Sequence, residues 1–389
     1  MIEKKKSLSR IHSLTISSIF FIIFFLFKPF YIFQSGSIQP GDLFLFLSFI
    51  AYLVEGKSVL PKKDNLFICF LVFVVIINGI YFVVYGHFQF IMSCLYYIFN
   101  YFVVIVFRDS MINNTFQKLL SAACEINLAV QLLLFITHTG SYWEGTYRYM
   151  GSYNDPNQLG FAIISTLCIL RILNSKHWYF YAFISLYLIM QTYSGGMLAT
   201  FALLIIFDII FNFDSVRNQR YRGSQIIMFL FVIGVIGIYL IMKSQNSLLD
   251  FRGFRIEEKL SSSSSIVESF ISDRNLKIAV EHPEFFLFGY GEAVNFTRYG
   301  HGSEMHSTWL SLWFCYGILP FLILIRWIYN NIKNIDIKYV AVFIAIFLEA
   351  FTLVNHRQPS FWMIILLGNL CKREYNKNGK GLNFESNEI

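Results

Sequence analysis

The 389-residue sequence is 56% hydrophobic, 19% aromatic and 14% charged, against about 25% charged residues in a soluble domain, which excludes an ordinary soluble globular protein. A formal charge of +7 would suit a nucleic-acid partner, but the basic residues cluster beside apolar runs, so it is read through the positive-inside rule and no nucleic-acid partner is expected. Apolar stretches near the roughly 20 residues that cross a bilayer recur along the whole chain, which favours helices over a barrel of alternating strands.

In chain order, twelve spans are predicted: 14–33, 38–54, 65–85, 88–107, 118–138, 156–173, 178–193, 195–212, 224–242, 308–329, 339–354 and 360–371. The first follows Lys4, Lys5, Lys6 and Arg10 as a signal peptide would, but no convincing small-residue cleavage site comes after it, so it is read as an anchor. With the N-terminus inside, 21 Lys and Arg fall on inner segments and ten on outer ones, seven of those ten in the long segment 243–307. Long loops cross with little regard to charge, so the informative contrast is 21 against Lys28, Arg148 and Arg357, which predicts that both termini are cytoplasmic. The expected organisation is therefore nine membrane helices within 1–242, interrupted by a short outer loop at 139–156. A large outer loop follows at 243–307, then three helices within 308–371 and a cytoplasmic tail at 372–389. Trp143, Trp178, Trp309, Trp327 and Trp362 lie near span ends, as an interfacial aromatic belt requires. All six cysteines sit within or at the ends of apolar runs, so no structural disulfide is expected.

The soluble signatures of nucleotide hydrolysis and zinc binding are missing from the sequence, and Gly289-x-Gly291 reads as a two-glycine turn on the outer side, not a dinucleotide loop. Three outer features carry possible chemistry. In the short loop, Asn154 and Asp155 are good helix caps and Pro156 suits a first helical position, so Asn157 begins the sixth span. A helix N-terminus beside Arg148 resembles an anion site; the plainer reading is a helix start with Arg148 on lipid headgroups. In the long loop, 266–281 has helical periodicity and carries Arg274, with a solvated helix face as the plainer reading. It is followed by a His-Pro-Glu turn. His306, just outside the tenth span, is a residue type suited to taking a proton from a hydroxyl near pH 7, or else a belt residue. Glu125, Asp208 and Glu349 fall inside apolar runs, where an ionised group needs a partner or an aqueous cavity.

Taken together and in this order, the motifs resemble the O-antigen polymerase and ligase superfamily of bacterial envelope glycosyltransferases. Arg148, Gly151, Asp155, Pro156, Asn157 and Gly160 match its short-loop pattern, and Arg274, Pro283, Gly289, Gly291, His306 and Gly317 match its large-loop pattern. One departure is Ser194-Gly195-Gly196, where many relatives read Ser-Arg-Gly. Arg252, Arg255, Arg298 and Arg357 are the candidates to substitute for that arginine. The resemblance implies an all-α polytopic membrane protein of the bacterial cytoplasmic (inner) membrane, with a C-type glycosyltransferase-like fold. It also implies no cofactor or metal, and undecaprenyl-pyrophosphate-linked oligosaccharide as donor and acceptor, with a chain-length regulator protein as a further partner. On it, Arg148 and Arg274 stabilise the departing pyrophosphate and His306 deprotonates the attacking sugar hydroxyl. Asp155, Asn157, Arg252, Arg298, His301 and Arg357 are the accompanying substrate-binding candidates. Polymerase is the favoured activity. The alternatives are a ligase that transfers polymer to lipid A core and, from another class, a lipid-linked oligosaccharide flippase, which would show internal repeats and broken midplane helices.

Overall fold

A computed structural model describes residues 14–33, 38–212, 275–293, 296–299, 301–302 and 304–372. The predicted ninth span, Arg252, Arg255, Arg274, most of the large loop and the C-terminal tail lie outside the described residues.

The described chain is mostly helical, with fourteen α-helices. The first eight are α1 (Ile16–Phe27), α2 (Pro40–Val54), α3 (Asn65–Tyr85), α4 (Gln89–Ser110), α5 (Asn114–Ile136), α6 (Pro156–Ile172), α7 (Trp178–Thr192) and α8 (Gly195–Phe211), one for each of the first eight predicted spans, with α4 running past its predicted end and α5 beginning before its predicted start. Short pieces α9 (Lys277–Glu281) and α10 (Phe285–Phe288) precede α11 (Thr308–Tyr316), α12 (Ile318–Ile332), α13 (Ile337–Glu349) and α14 (Pro359–Leu367). The hairpin β1–β2 (Ser141–Tyr142, Tyr149–Gly151) lies between α5 and α6, and β3–β4 (Thr297–Arg298, His301–Gly302) between α10 and α11.

Three helical stretches, Lys62–Tyr85, Gln89–Ser110 and Asn114–Ile136, are long and apolar enough to cross a bilayer. Five shorter ones are similarly apolar. Val83, Val84, Ile136 and Phe180 point outward, an apolar exterior that suits lipid contact and is rare on a soluble monomer. By contrast α6 and α14 are buried along most of their length, forming the centre of the bundle.

The helix ends gather into two layers. One holds Arg148: Lys28 pairs with Asp42 at 2.6 Å, Tyr31 N–H donates to Ser152, and Arg148 donates to Thr192 O. The other holds Arg171: Ser17 bonds Glu55, Arg108 pairs with Asp64, Arg171 with Asp208, and Asn174 bonds Tyr339. Lys28 and Arg148 thus lie in the same layer.

The tenth predicted span is not one helix. Gly317 takes φ 78° and separates α11 from α12. The carbonyls of Phe314 and Cys315, released by the break, accept the N–H groups of Tyr290 and Gly291 at 2.9 Å each. Pro320 then falls in the first turn of α12, where a missing amide costs nothing. The eleventh span, predicted to 354, ends as a helix at Glu349, because the chain turns back there to bond the start of α11.

Candidate functional site

The Arg148 end brings several predicted residues together. Asp155 caps α6, its carboxylate accepting the amides of Asn157 at 2.6 Å and Gln158 at 3.2 Å, with Pro156 at the first helical position. Arg148, just before β2, donates from Nη2 to Asn157 Oδ1 at 3.2 Å and from Nε to Thr192 O at 3.0 Å. The short loop is therefore both a helix start and a seat for Arg148. Two of the amides at the start of α6 are thus taken by the Asp155 carboxylate.

α8 opens at Gly195, where the Ser-Arg-Gly pattern would place its arginine, and the connection between α13 and α14 passes beside the next residue, Gly196. A Cβ built on Gly196 would lie 3.5 Å from Thr352 Oγ1. The same connection receives the start of α11: Thr308 N–H donates to Ala350 O and Leu353 O, and Asn355 N–H to Thr308 Oγ1 at 2.7 Å. Ser307 caps α11, and His306 stands exposed at the bend immediately before it. Asn275, next to Arg274 in sequence, donates to Glu304 O at 3.0 Å.

At the centre of this end lies a residue that the sequence did not single out. Gly289 and Gly291 take φ 87° and 73°, and Cβ atoms there would meet Cys315 O at 2.8 Å and the Tyr81 ring at 2.5 Å. Glycine lets this strand of chain lie against α11 and α3, and it delivers Glu292 into the bundle. The Glu292 carboxylate accepts from Tyr97 at 2.8 Å and Tyr316 at 2.6 Å on Oε2. On Oε1 it accepts from Arg357 Nε at 2.9 Å and Nη2 at 2.6 Å, with His356 Nε2 at 3.3 Å. Its backbone N–H donates to Asn78 Oδ1 at 2.8 Å. Burial acts to raise the Glu292 carboxyl, but Arg357 first and then His356 outweigh it and hold the group well below the usual carboxylate range. Arg357 completes the network by donating from Nη1 to Glu304 Oε1 at 2.8 Å.

The other candidates fall as follows. Arg298 is buried in a box of aromatic rings, 3.5 Å from the Tyr290 centroid and 4.6 Å from that of Tyr81, and donates to Tyr290 O. His301 lies on β4, paired with Arg298 on β3. Arg252 and Arg274 are outside the described residues. Arg298 and Arg357, two of the candidates to replace the missing arginine, are thus engaged by the protein's own groups. The three acids inside apolar runs all have partners: Glu125 accepts from Ser175, Asp208 from Arg171 and Glu349 from Asn355. All six cysteines are unpaired, and among the described residues no group of three His, Cys, Asp or Glu is placed to hold a metal ion.

Sequence reasoning missed Glu292, His356, Asn78, Tyr97 and Tyr316. The available signals were weak: an acid directly after Gly-x-Gly, a His-Arg pair in a short outer connection, and an Asn in an otherwise apolar span. Comparison with known protein families and with characterised proteins finds no match for this chain.

Proposed function

We infer that the chain is a polysaccharide polymerase of the bacterial cytoplasmic membrane, which joins undecaprenyl-pyrophosphate-linked repeat units at its outer face. In this reading the chain spans the bilayer about twelve times and the Arg148 end is outer. The observation that supports it is that Arg148 bonds Thr192 just before α8, and that the connection beside Gly196 at the start of α8 also holds Thr308, two residues after the exposed His306.

The reaction is a single displacement. The acceptor hydroxyl loses its proton to His306 as its oxygen bonds the donor's anomeric carbon. The carbon–oxygen bond to pyrophosphate breaks, and the electron pair leaves on the carrier lipid. Arg148, with Arg274 from the large loop, faces the growing negative charge, a task for which a guanidinium's paired N–H groups suit phosphate oxygens. The apolar exterior admits the polyprenyl tail from the bilayer.

The test is in vitro extension in liposomes that contain the lipid-linked repeat unit. The wild-type protein lengthens it to a ladder on a gel; His306→Ala and Arg148→Ala lower the rate by about 100-fold or more. A ladder that persists in both variants removes these residues from the mechanism. Deletion of the gene separates the activities: lipid A core capped with one repeat unit fits a polymerase, polymer left on the carrier lipid a ligase, and unpolymerised units retained inside a flippase.

A further inference from the structure

The geometry points to Glu292, Arg357 and Glu304 as a positioning bridge that fixes the segment carrying His306 from a carboxylate buried inside the bundle. His306 is exposed, yet Met305 and Ser307 on either side of it are 0% exposed. The backbone that carries it is held on both flanks. On the C-terminal flank, Thr308 bonds Ala350, Leu353 and Asn355. On the N-terminal flank, Glu304 takes Arg357 Nη1 at 2.8 Å. Both clamps belong to one connection, between α13 and α14, so Glu304 and Thr308, two positions to either side of His306, are referred to the same segment.

That connection needs its own anchor, and Glu292 supplies it. Arg357 gives Nε and Nη2 to Glu292 Oε1, which leaves Nη1 to point at Glu304. The planar guanidinium thereby transmits orientation from one carboxylate to the other. Glu292 is in turn held by Tyr97 on α4 and Tyr316 on α11, while the His356 ring stacks on Tyr97 at 5.7 Å. Glu304 is 31% exposed, so its own bond is the releasable member.

The placement of the segment is tested without any activity. In a Cys69→Ser background, which removes the one exposed cysteine, Met305→Cys is labelled with a water-soluble maleimide in the full-length, monodisperse protein in detergent. Glu304→Gln raises the labelling rate by about fivefold and Glu292→Gln by about tenfold, as local opening predicts. Glu281→Gln, in an exposed pair with Lys277, leaves it unchanged. Rates within twofold of the parent for both bridge variants overturn the proposal.

A kinetic arm rests on the polymerase reading: Glu304→Gln lowers kcat about tenfold while KM stays within about threefold, as loss of a positioned group requires. Faster labelling with unchanged kcat leaves the bridge standing and removes His306 as the base. Unchanged labelling with reduced kcat overturns the bridge and leaves the polymerase reading intact.

Discussion

The two ends of the helix bundle use buried acids differently. At the Arg171 end Asp64 and Asp208 each meet one guanidinium and staple neighbouring helices: Asp64 takes Arg108 at 2.5 Å and the Trp327 indole at 2.9 Å, and Asp208 takes Arg171 at 2.6 Å. At the Arg148 end a single guanidinium, Arg357, serves two acids, and neither acid lies in a helix. The first arrangement closes helix ends against each other. The second ties the irregular segments that precede α11 and α14, where position matters and regular hydrogen bonding is missing.

The sharpest way to test this contrast is to remove one cation from each end and measure thermal unfolding in detergent. Arg108→Ala leaves Asp64 with the Trp327 indole as its remaining donor among the described residues, and is expected to cost about 3–5 kcal/mol, the range for an uncompensated buried charge. Arg357→Ala leaves Glu292 with two tyrosine hydroxyls and the His356 imidazole, so about 2–3 kcal/mol is expected. Equal losses would show that the tyrosines contribute nothing.

Acid reads the same carboxylate. The folded Glu292 value lies below the unfolded one of about 4.3, so its stabilisation is complete above that pH and is lost as pH falls through the folded value. Wild-type protein should therefore lose stability more steeply than Glu292→Gln as pH falls from about 5 to 3, measured as the shift in unfolding temperature. Parallel curves would mean that Glu292 is not held as an anion.

Two smaller changes probe the backbone devices of the Arg148 end. Gly291→Ala forces a side chain into a left-handed residue against the Tyr81 ring, and about 2 kcal/mol of destabilisation is expected in the same assay. Asp155→Ala removes the α6 cap, at a cost of about 1 kcal/mol. The cap also braces Asn157 under Arg148. A cost above that of Gly291→Ala would make the short loop, not Glu292, the firmer anchor of this end.

Much of the helical plan was legible because burial in lipid or in a bundle leaves a long apolar run. Each predicted span up to residue 212 holds one helix. The cap at Asp155 and Pro156 was legible for a local reason, since both residues act within one turn. The break at Gly317 was not, because a lone glycine in an apolar run costs a helix little. It breaks here because the chain at Tyr290 and Gly291 arrives to take the released carbonyls. Glu292 was hidden for a related reason: its partners come from α3, α4, α11 and the connection after α13, up to 214 residues away.

Composition and apolar patterning by themselves determined a helical chain built for an apolar surround and the order of its first eight helices. These follow from transfer energies and caps that act within a few residues. Only the tertiary structure decided that Gly289-x-Gly291 is a close backbone approach, that Arg298 and Arg357 are engaged within the protein, and that Glu292 sits at the centre of the site. Such facts depend on which distant groups share a small buried volume, where a charge persists only if the whole set of partners is present.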